Sequence, residues 1–330
     1  MSAPSYSRIL TSPRQPSSRL FGLIPIHSMP LDMIDSFDVC IIGAGNAALC
    51  AAISAAENNA RTLVLERAPQ EESGGNSRFT AGAIRFAYNG SDDLREICDL
   101  SDEEIRTTEF GVYTEDQFFD DMFRVTQFRC DPDLVEVLVR QSRSTVKWLH
   151  SHGVRFVPMY KRQAFKIDGV FRFWGGLTVE ARGGGPGLVE AETNIARDLG
   201  VDIRYGARAI RLTREHNRVT GVEVKQAGET YQINARAVVL AAGGFQANPE
   251  MRTRYLGPGW ELAKVRGSRF NTGAGIRMAL DIGAAPYGNW SGCHAVAWEL
   301  NAPEFGDLGI GDLFQKHSYP FSLCVNLNGE

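Results

Sequence analysis

Between Phe37 and Glu66 the chain places two glycines and a carboxylate at separations that suit one task, holding a phosphate-bearing ligand. Phe37-Asp-Val-Cys-Ile-Ile42 is a β-branched-rich run too short for a helix and apolar enough for a buried parallel strand. Gly43 and Gly45 follow without the Cβ atoms that would block a tight turn and the approach of phosphate oxygens to backbone N–H groups. An alanine-rich stretch from Asn46 to Asn58 then predicts a helix, with Ala48 small enough to let it pack closely on the strand. A second apolar run, Arg61-Thr-Leu-Val-Leu, ends on Glu66, about twenty residues downstream of the glycines, where a carboxylate can accept both hydroxyls of a ribose. Strand, glycine turn, helix and carboxylate-ended strand together predict a dinucleotide seat; a glycine turn alone would not.

The remaining elements must carry and complete that seat. Gly74-Gly75-Asn76-Ser77 could wrap donors around a ligand or be an ordinary turn. Ser91 to Phe128 is acidic and helical in pattern, with Ser101 to Glu104 as a cap and first turn. Asp131-Pro132 starts a further helix whose apolar face is expected to comprise Leu134, Val135, Leu138, Val139, Val146 and Leu149. His150 and His152 at its end are read as solvated or helix-terminal side chains ahead of ligands. Gly183 to Gly187 opens a helix to about Leu199, and is either an anion-holding turn or a flexible connector. Val201 to Tyr205 and Ala207 to Leu212 are strand-like, and Arg218 to Lys225 and Thr230 to Asn234 form a hairpin turning near Ala227-Gly228. Ala237 to Gly244 is an apolar strand running into glycines, and Asn271-Thr-Gly-Ala-Gly-Ile276 opens a helix to Ile282.

Composition bounds the rest. The 330 residues are 43% hydrophobic and 22% charged with a net charge of −4, and no basic patch with interleaved aromatics points to nucleic acid. No apolar run approaches the roughly 18 residues of a membrane span. Six scattered cysteines without C-x-x-C pairs predict reduced thiols with neither disulfide framework nor metal site. Residues 1–35 are a separate leader, acid-free up to Asp32 and rich in Ser, Pro and Arg, which is either disordered or a mitochondrial targeting segment; without it the compartment expected is cytoplasmic.

The ordered set G-A-G-N-A-A, Glu66, Gly-Gly-Asn-Ser at 74–77, Ala-Gly at 81–82, V-V-L-A-A-G-G-F at 238–245 and T-G-A-G-I-R-M-A at 272–279 resembles the FAD-dependent flavoproteins of the fumarate reductase and succinate dehydrogenase family. Within that family, residues 45–52 and 288–295 resemble the tricarballylate dehydrogenase branch most. The resemblance implies an α/β fold: a Rossmann-like FAD-binding domain over 36–285 with a β-rich insertion, and the start of a substrate or cap domain over 286–330. It implies that the cofactor is held by Gly43, Gly45, Asn46, Ala47, Glu66, Arg67, Gly75, Asn76, Ser77, Gly82, Ala209, Ala242, Gly243 and Gly275. Asn76 stands where respiratory members carry the histidine that bonds covalently to flavin, so FAD is expected to be noncovalent. Ala274 replaces an acidic residue common in relatives.

By the same resemblance, a small carboxylate is the expected substrate, dehydrogenated or reduced at a C–C bond beside its carboxylate, with His294 and His317 as substrate ligands. Fumarate itself is disfavoured, since the Thr-Glu pair that fumarate reductases carry before the last strand is missing. An electron acceptor or partner is implied, with no haem or cluster motif to identify it. The segment Ser322 to Leu327 is expected to be a strand entering an Asn328-Gly329 turn whose returning strand lies beyond Glu330, together with the family's proton-transfer arginine. The expectation is then an impaired enzyme or a noncatalytic flavin-binding remnant, with an alkene or steroid oxidoreductase of the same superfamily as the alternative.

Overall fold

The computed structural model describes residues 36–311, 322–326 and 328–330. The chain begins with β1 (Ser36–Ile42), α1 (Asn46–Glu57) and β2 (Thr62–Leu65), as the glycine-turn unit predicts. An insertion follows: β3 (Ala83–Ile84), α2 (Ser91–Arg95), α3 (Asp102–Thr107), β4 (Thr108–Glu109), α4 (Glu115–Val125) and α5 (Pro132–Ser151). It continues through β5 (Phe156–Pro158), α6 (Tyr160–Gln163), β6 (Ala164–Ile167), β7 (Val170–Phe173) and β8 (Val179–Ala181). The chain then returns through α7 (Gly184–Asp198), β9 (Asp202–Arg204), β10 (Arg208–Glu215), β11 (Arg218–Gln226) and β12 (Glu229–Leu240), and ends its regular structure with α8 (Pro249–Leu256) and α9 (Ala274–Asp281).

The main sheet has the order β10-β11-β12-β1-β2-β9. Its four strands β12, β1, β2 and β9 are parallel, while β10, β11 and the first half of β12 form an antiparallel meander. The two strands expected on either side of Ala235 are one strand: β12 pairs with β11 up to Asn234 and with β1 from Asn234 to Leu240. Beyond Asn234 its second edge has no partner strand among the described residues, so Ala237 and Leu240 are exposed although the run is apolar.

Side-chain alternation along β1 builds a core on each face of the sheet. Ile41 packs with Ala48, Ala52 and Ile53 of α1, Val64 of β2 and Ala196 of α7. Cys40 and Ile42 face the other way, toward Leu63, Leu65, the β10–β12 meander and Met278 of α9. A fully buried isoleucine such as Ile41 contributes roughly 1.5–3 kcal/mol by leaving water. The small alanines of α1 let the helix lie close to the strand, which fixes where its N-terminus points.

The insertion has its own core around Phe86, Tyr88, Phe110, Tyr113, Val139 and Phe156, with two three-stranded sheets, β3-β8-β5 and β4-β7-β6. Its helical signals are accurate at their starts. Ser101 and Glu104 form a reciprocal capping box, and Asp131 caps α5 with Pro132 at its first position. The helical stretch from Ser91 to Phe128 forms as three helices, α2, α3 and α4, with β4 and an isolated bridge from Tyr113 to Tyr88 between the last two. On α5 the buried line is Val135, Val139, Ser142, Val146 and Leu149; Leu134 and Leu138 each lie one position off that line and are exposed. At the helix end, His152 Nδ1 lies 2.9 Å from the Trp148 carbonyl and Nε2 2.9 Å from Glu57, so it serves as a helix terminus.

No strand forms over Ser322–Asn326. That stretch is exposed and has no strand beside it among the described residues, while a turn follows in which Asn326 O accepts from Gly329 N at 3.0 Å. His317 lies outside the described residues. Every described cysteine is a free thiol, no group of His, Cys, Asp and Glu is placed to hold a metal among the described residues, and no described helix is long and apolar enough to cross a membrane.

Candidate cofactor site

A cavity of about 390 Å3 opens where β1, β2 and β12 end at the N-terminus of α1. This is the crevice at the carboxyl ends of parallel strands where α/β sheets take ligands. A second cavity of about 490 Å3 lies against α5, but its cations Arg140, Arg143 and Lys147 are already paired with Glu115, Glu136, Asp93 and Glu96.

The turn from β1 to α1 forms the floor. Gly43 has φ +111°, and a Cβ there would collide with the Ala241 carbonyl oxygen, so no other residue lets the turn pass so close to β12. Gly45 precedes α1 and gives it no side-chain cap. The N–H of Asn46 donates instead to Ser77 Oγ at 3.0 Å, and that of Ala47, on the cavity wall, has no partner among the described residues. An uncapped helix start with an open N–H suits an anionic oxygen.

Glu66 closes β2 on the opposite wall with only 6% of its surface exposed. Its Oε2 accepts from Ala44 N at 2.9 Å and its Oε1 from Ala68 N at 2.7 Å. Burial pushes its carboxyl above the ordinary range, while the backbone N–H groups of Ala68, Ala44 and Arg67 and the Arg67 charge act against that shift. Each oxygen keeps a further acceptor site, which is what a ribose diol needs. Arg67 next to it reaches across to donate to Thr272 Oγ1 at 2.7 Å and to the Phe270 carbonyl at 3.2 Å, with its guanidinium 5.6 Å from the Phe270 ring centre. It thereby ties the loop before α9 to the end of β2.

A short 3-10 turn, Gly75–Phe79, supplies Gly75, Asn76 and Ser77. Asn76 Oδ1 accepts from Ser268 N at 2.9 Å. Ala209 of β10 and Ala242 and Gly243 after β12 also line the cavity. Gly82 and Gly275 do not. Gly82, at φ +70°, faces Gly184, whose carbonyl carbon would stand 2.5 Å from a Cβ. Gly275 is buried behind the wall, where a Cβ would stand 3.1 Å from the Ala242 methyl, and Ala274 lines the cavity in its stead.

The glycine run 183–187 also serves packing. A Cβ at Gly185 would collide with the Ser77 carbonyl, so the run brings α7 hard against the Gly75–Phe79 turn and does not form the cavity wall. His294 is exposed and lies outside the cavity lining. Ser268, Phe270 and Asn271, which form the far wall, are not among the cofactor residues that the resemblance implies. Asn271 is the one with a signal: it immediately precedes the Thr-Gly-x-Gly stretch and packs its amide against Gly243.

These residues fit FAD: a glycine cradle that a side chain would fill, an open helix N–H for the pyrophosphate, and a buried carboxylate with free acceptor sites for the ribose.

The family model described as an FAD binding domain matches residues 38–296. A probable fumarate reductase of Shewanella frigidimarina is 28% identical over 255 residues, covering 76% of this chain and 39% of that protein. A vinyl phenol reductase of Lactiplantibacillus plantarum is 28% identical over 263 residues, covering 79% of this chain and 48% of that protein. The solved structure of a flavocytochrome c3 fumarate reductase in an open conformation superposes with a TM-score of 0.60 at 26% identity, covering 76% of this chain and 41% of the other. The chain thus spans less than half the length of these relatives. With the crevice, the glycine cradle and the buried Glu66 carboxylate already in place, the chain belongs to the FAD binding domain family and is a flavoprotein of the fumarate reductase and succinate dehydrogenase kind, with FAD as its cofactor.

Proposed function

We propose that the protein is the FAD-binding portion of an oxidoreductase that interconverts a C–C single bond and an alkene in a small polycarboxylate, with a tricarballylate-like compound as substrate. The observation that supports this is the cavity wall running from Gly43 to Glu66 to Asn76 at the sheet's carboxyl edge, whose residues suit FAD held without a covalent bond. FAD, when bound, supplies the hydride donor and acceptor for such chemistry. In this reading the chain's own residues bind and orient: the turn at Gly43 and Gly45 and the first turn of α1 take the pyrophosphate, Glu66 the ribose, and Asn76 and Ser77 the flavin end. Asparagine cannot form the bond to flavin that histidine forms in respiratory relatives, so the cofactor is held by contacts alone.

The tricarboxylate preference rests on the resemblance of residues 45–52 and 288–295 to the tricarballylate branch. On this reading residues 36–285 bind the cofactor, and residues 286–330 begin the substrate-facing region, where the exposed His294 is available to a carboxylate. Electrons leave through a separate acceptor. The test is a titration of FAD-loaded protein with tricarballylate, followed by flavin absorbance. A saturable perturbation is expected, stronger than any from a vinyl phenol and weakened by His294→Ala. A perturbation by the vinyl phenol with none from the tricarboxylate would overturn the substrate class.

A further inference from the structure

Glu192 on α7 is the one acidic side chain in the described core with no exposed surface, and its Oε2 has no hydrogen-bond partner. Its Oε1 lies 3.7 Å from Cys50 Sγ, which in turn lies 3.4 Å from Asn46 Oδ1 one helical turn back on α1. Asn46 lines the cofactor cavity, and its N–H is held by Ser77. Three polar side chains therefore run in line from the interior beneath α1 to the wall of the site.

A thiol has one proton and cannot donate to two acceptors at once. The shorter contact assigns it to Asn46 Oδ1, which leaves the sulfur to accept from Glu192, and a carboxyl can donate only when protonated. We infer that Glu192, held as a neutral acid, donates to Cys50, which donates to Asn46 Oδ1, and that this buried chain orients the Asn46 amide so that its N–H2 faces the anionic pyrophosphate of FAD. Glu192 is thus a positioning residue. Burial among α1, α7 and their neighbours pushes its carboxyl up to about 8 even with the Cys50 thiol beside it acting to lower it, which favours the neutral form the chain requires.

Other charges near it are engaged elsewhere. From α1 the titratable neighbour is Cys50, whose thiol burial also pushes up. The Gly75–Phe79 turn contributes Arg78, which donates to the carbonyls of Glu71 and Ser73, and β8 contributes Glu180, which is met by Arg162 and Lys161. A Glu192 anion would face no cation, and it would reverse the donor at Cys50 while adding negative charge behind the pyrophosphate site.

This inference rests on FAD occupying the cavity, and the experiment separates the two. FAD dissociation constants are measured from about pH 6 to about pH 9 for the wild type, Glu192→Gln, Cys50→Ala and Cys50→Ser. The wild type is expected to weaken roughly tenfold with rising pH, while Glu192→Gln, a permanent donor, stays flat across the range. Cys50→Ala weakens binding and Cys50→Ser, which restores a donor and acceptor, recovers it. The infrared spectrum of the protein without added flavin is recorded alongside. A protonated carboxyl band absent in Glu192→Gln, with an S–H band that shifts in the same variant, supports the chain whether or not flavin binds. A wild type with no such bands, or a Glu192→Gln variant that keeps the wild-type pH slope, would overturn it; failure of every variant to bind FAD, with the bands intact, would instead sink the cofactor orientation.

Discussion

Asn76 and Ser268 stand 192 positions apart in the chain and are joined by a hydrogen bond of 2.9 Å from the Ser268 N–H to Asn76 Oδ1. The bond closes the cavity between the turn after β2 and the loop before α9. The room for it comes from Gly267, where a Cβ would collide with the Asn76 amide.

Gly267→Ala is therefore expected to displace the Asn76 side chain and break that bond while leaving the fold intact. FAD affinity should fall, with loss of a partly buried bond worth about 1 kcal/mol, or roughly fivefold. Fluorescence titration with FAD and a circular dichroism melt check the two parts separately; unchanged affinity would show that Asn76 does not shape the site.

Gly43→Ala acts on backbone. At φ +111° with the Ala241 carbonyl in the way, an added Cβ forces β1 and β12 apart at the cavity floor. Destabilisation should exceed roughly 1–2 kcal/mol, and flavin binding should be lost even in folded protein. Chemical denaturation and FAD titration of the soluble variant read both.

Glu66→Ala removes the acceptor for two buried N–H groups, those of Ala44 and Ala68. Each orphaned donor costs roughly 1–3 kcal/mol. Glu66→Gln keeps one carbonyl acceptor and should be milder in stability, yet still weaken FAD, because an amide nitrogen cannot accept from a ribose hydroxyl. Equal stability of Glu66→Ala and wild type in urea titrations would show that these bonds do not form.

Glu192 makes a stability prediction of its own. Its carboxyl is raised by burial from an ordinary 4.5 to about 8, so the folded state holds a proton that the unfolded chain releases. The stability this group contributes is whole below about pH 4.5 and is lost as pH rises to about 8, on the order of a few kcal/mol in all. Glu192→Gln should therefore be more stable than wild type at about pH 8, with the gap closing toward about pH 5. Denaturation at both pH values checks it; a gap independent of pH would contradict a neutral Glu192.

Some of this architecture was legible in residues alone. Gly43, Gly45 and Glu66 lie within one local unit whose geometry the chain cannot avoid, and Ser101-Glu104 and Asp131-Pro132 mark helix starts by bonds to their own backbone. The far wall was legible only at Asn271, beside the Thr-Gly-x-Gly stretch. Ser268 and Phe270 reach the site because Arg67 and Asn76 tie their loop across the sheet edge, and no local pattern carries that contact. Leu134 and Leu138 illustrate the converse: apolar residues on α5 that read as core, yet lie off the line its neighbours cover.

The central claim is that the cavity between Gly43, Glu66 and Asn76 holds FAD by contacts alone. The most direct test is to load the purified protein with FAD, remove excess, and precipitate it with acid. About one flavin per chain is expected to be retained before precipitation and to appear wholly in the supernatant afterwards, as free FAD. Protein that retains no flavin, or flavin that stays with the precipitate, would contradict the account.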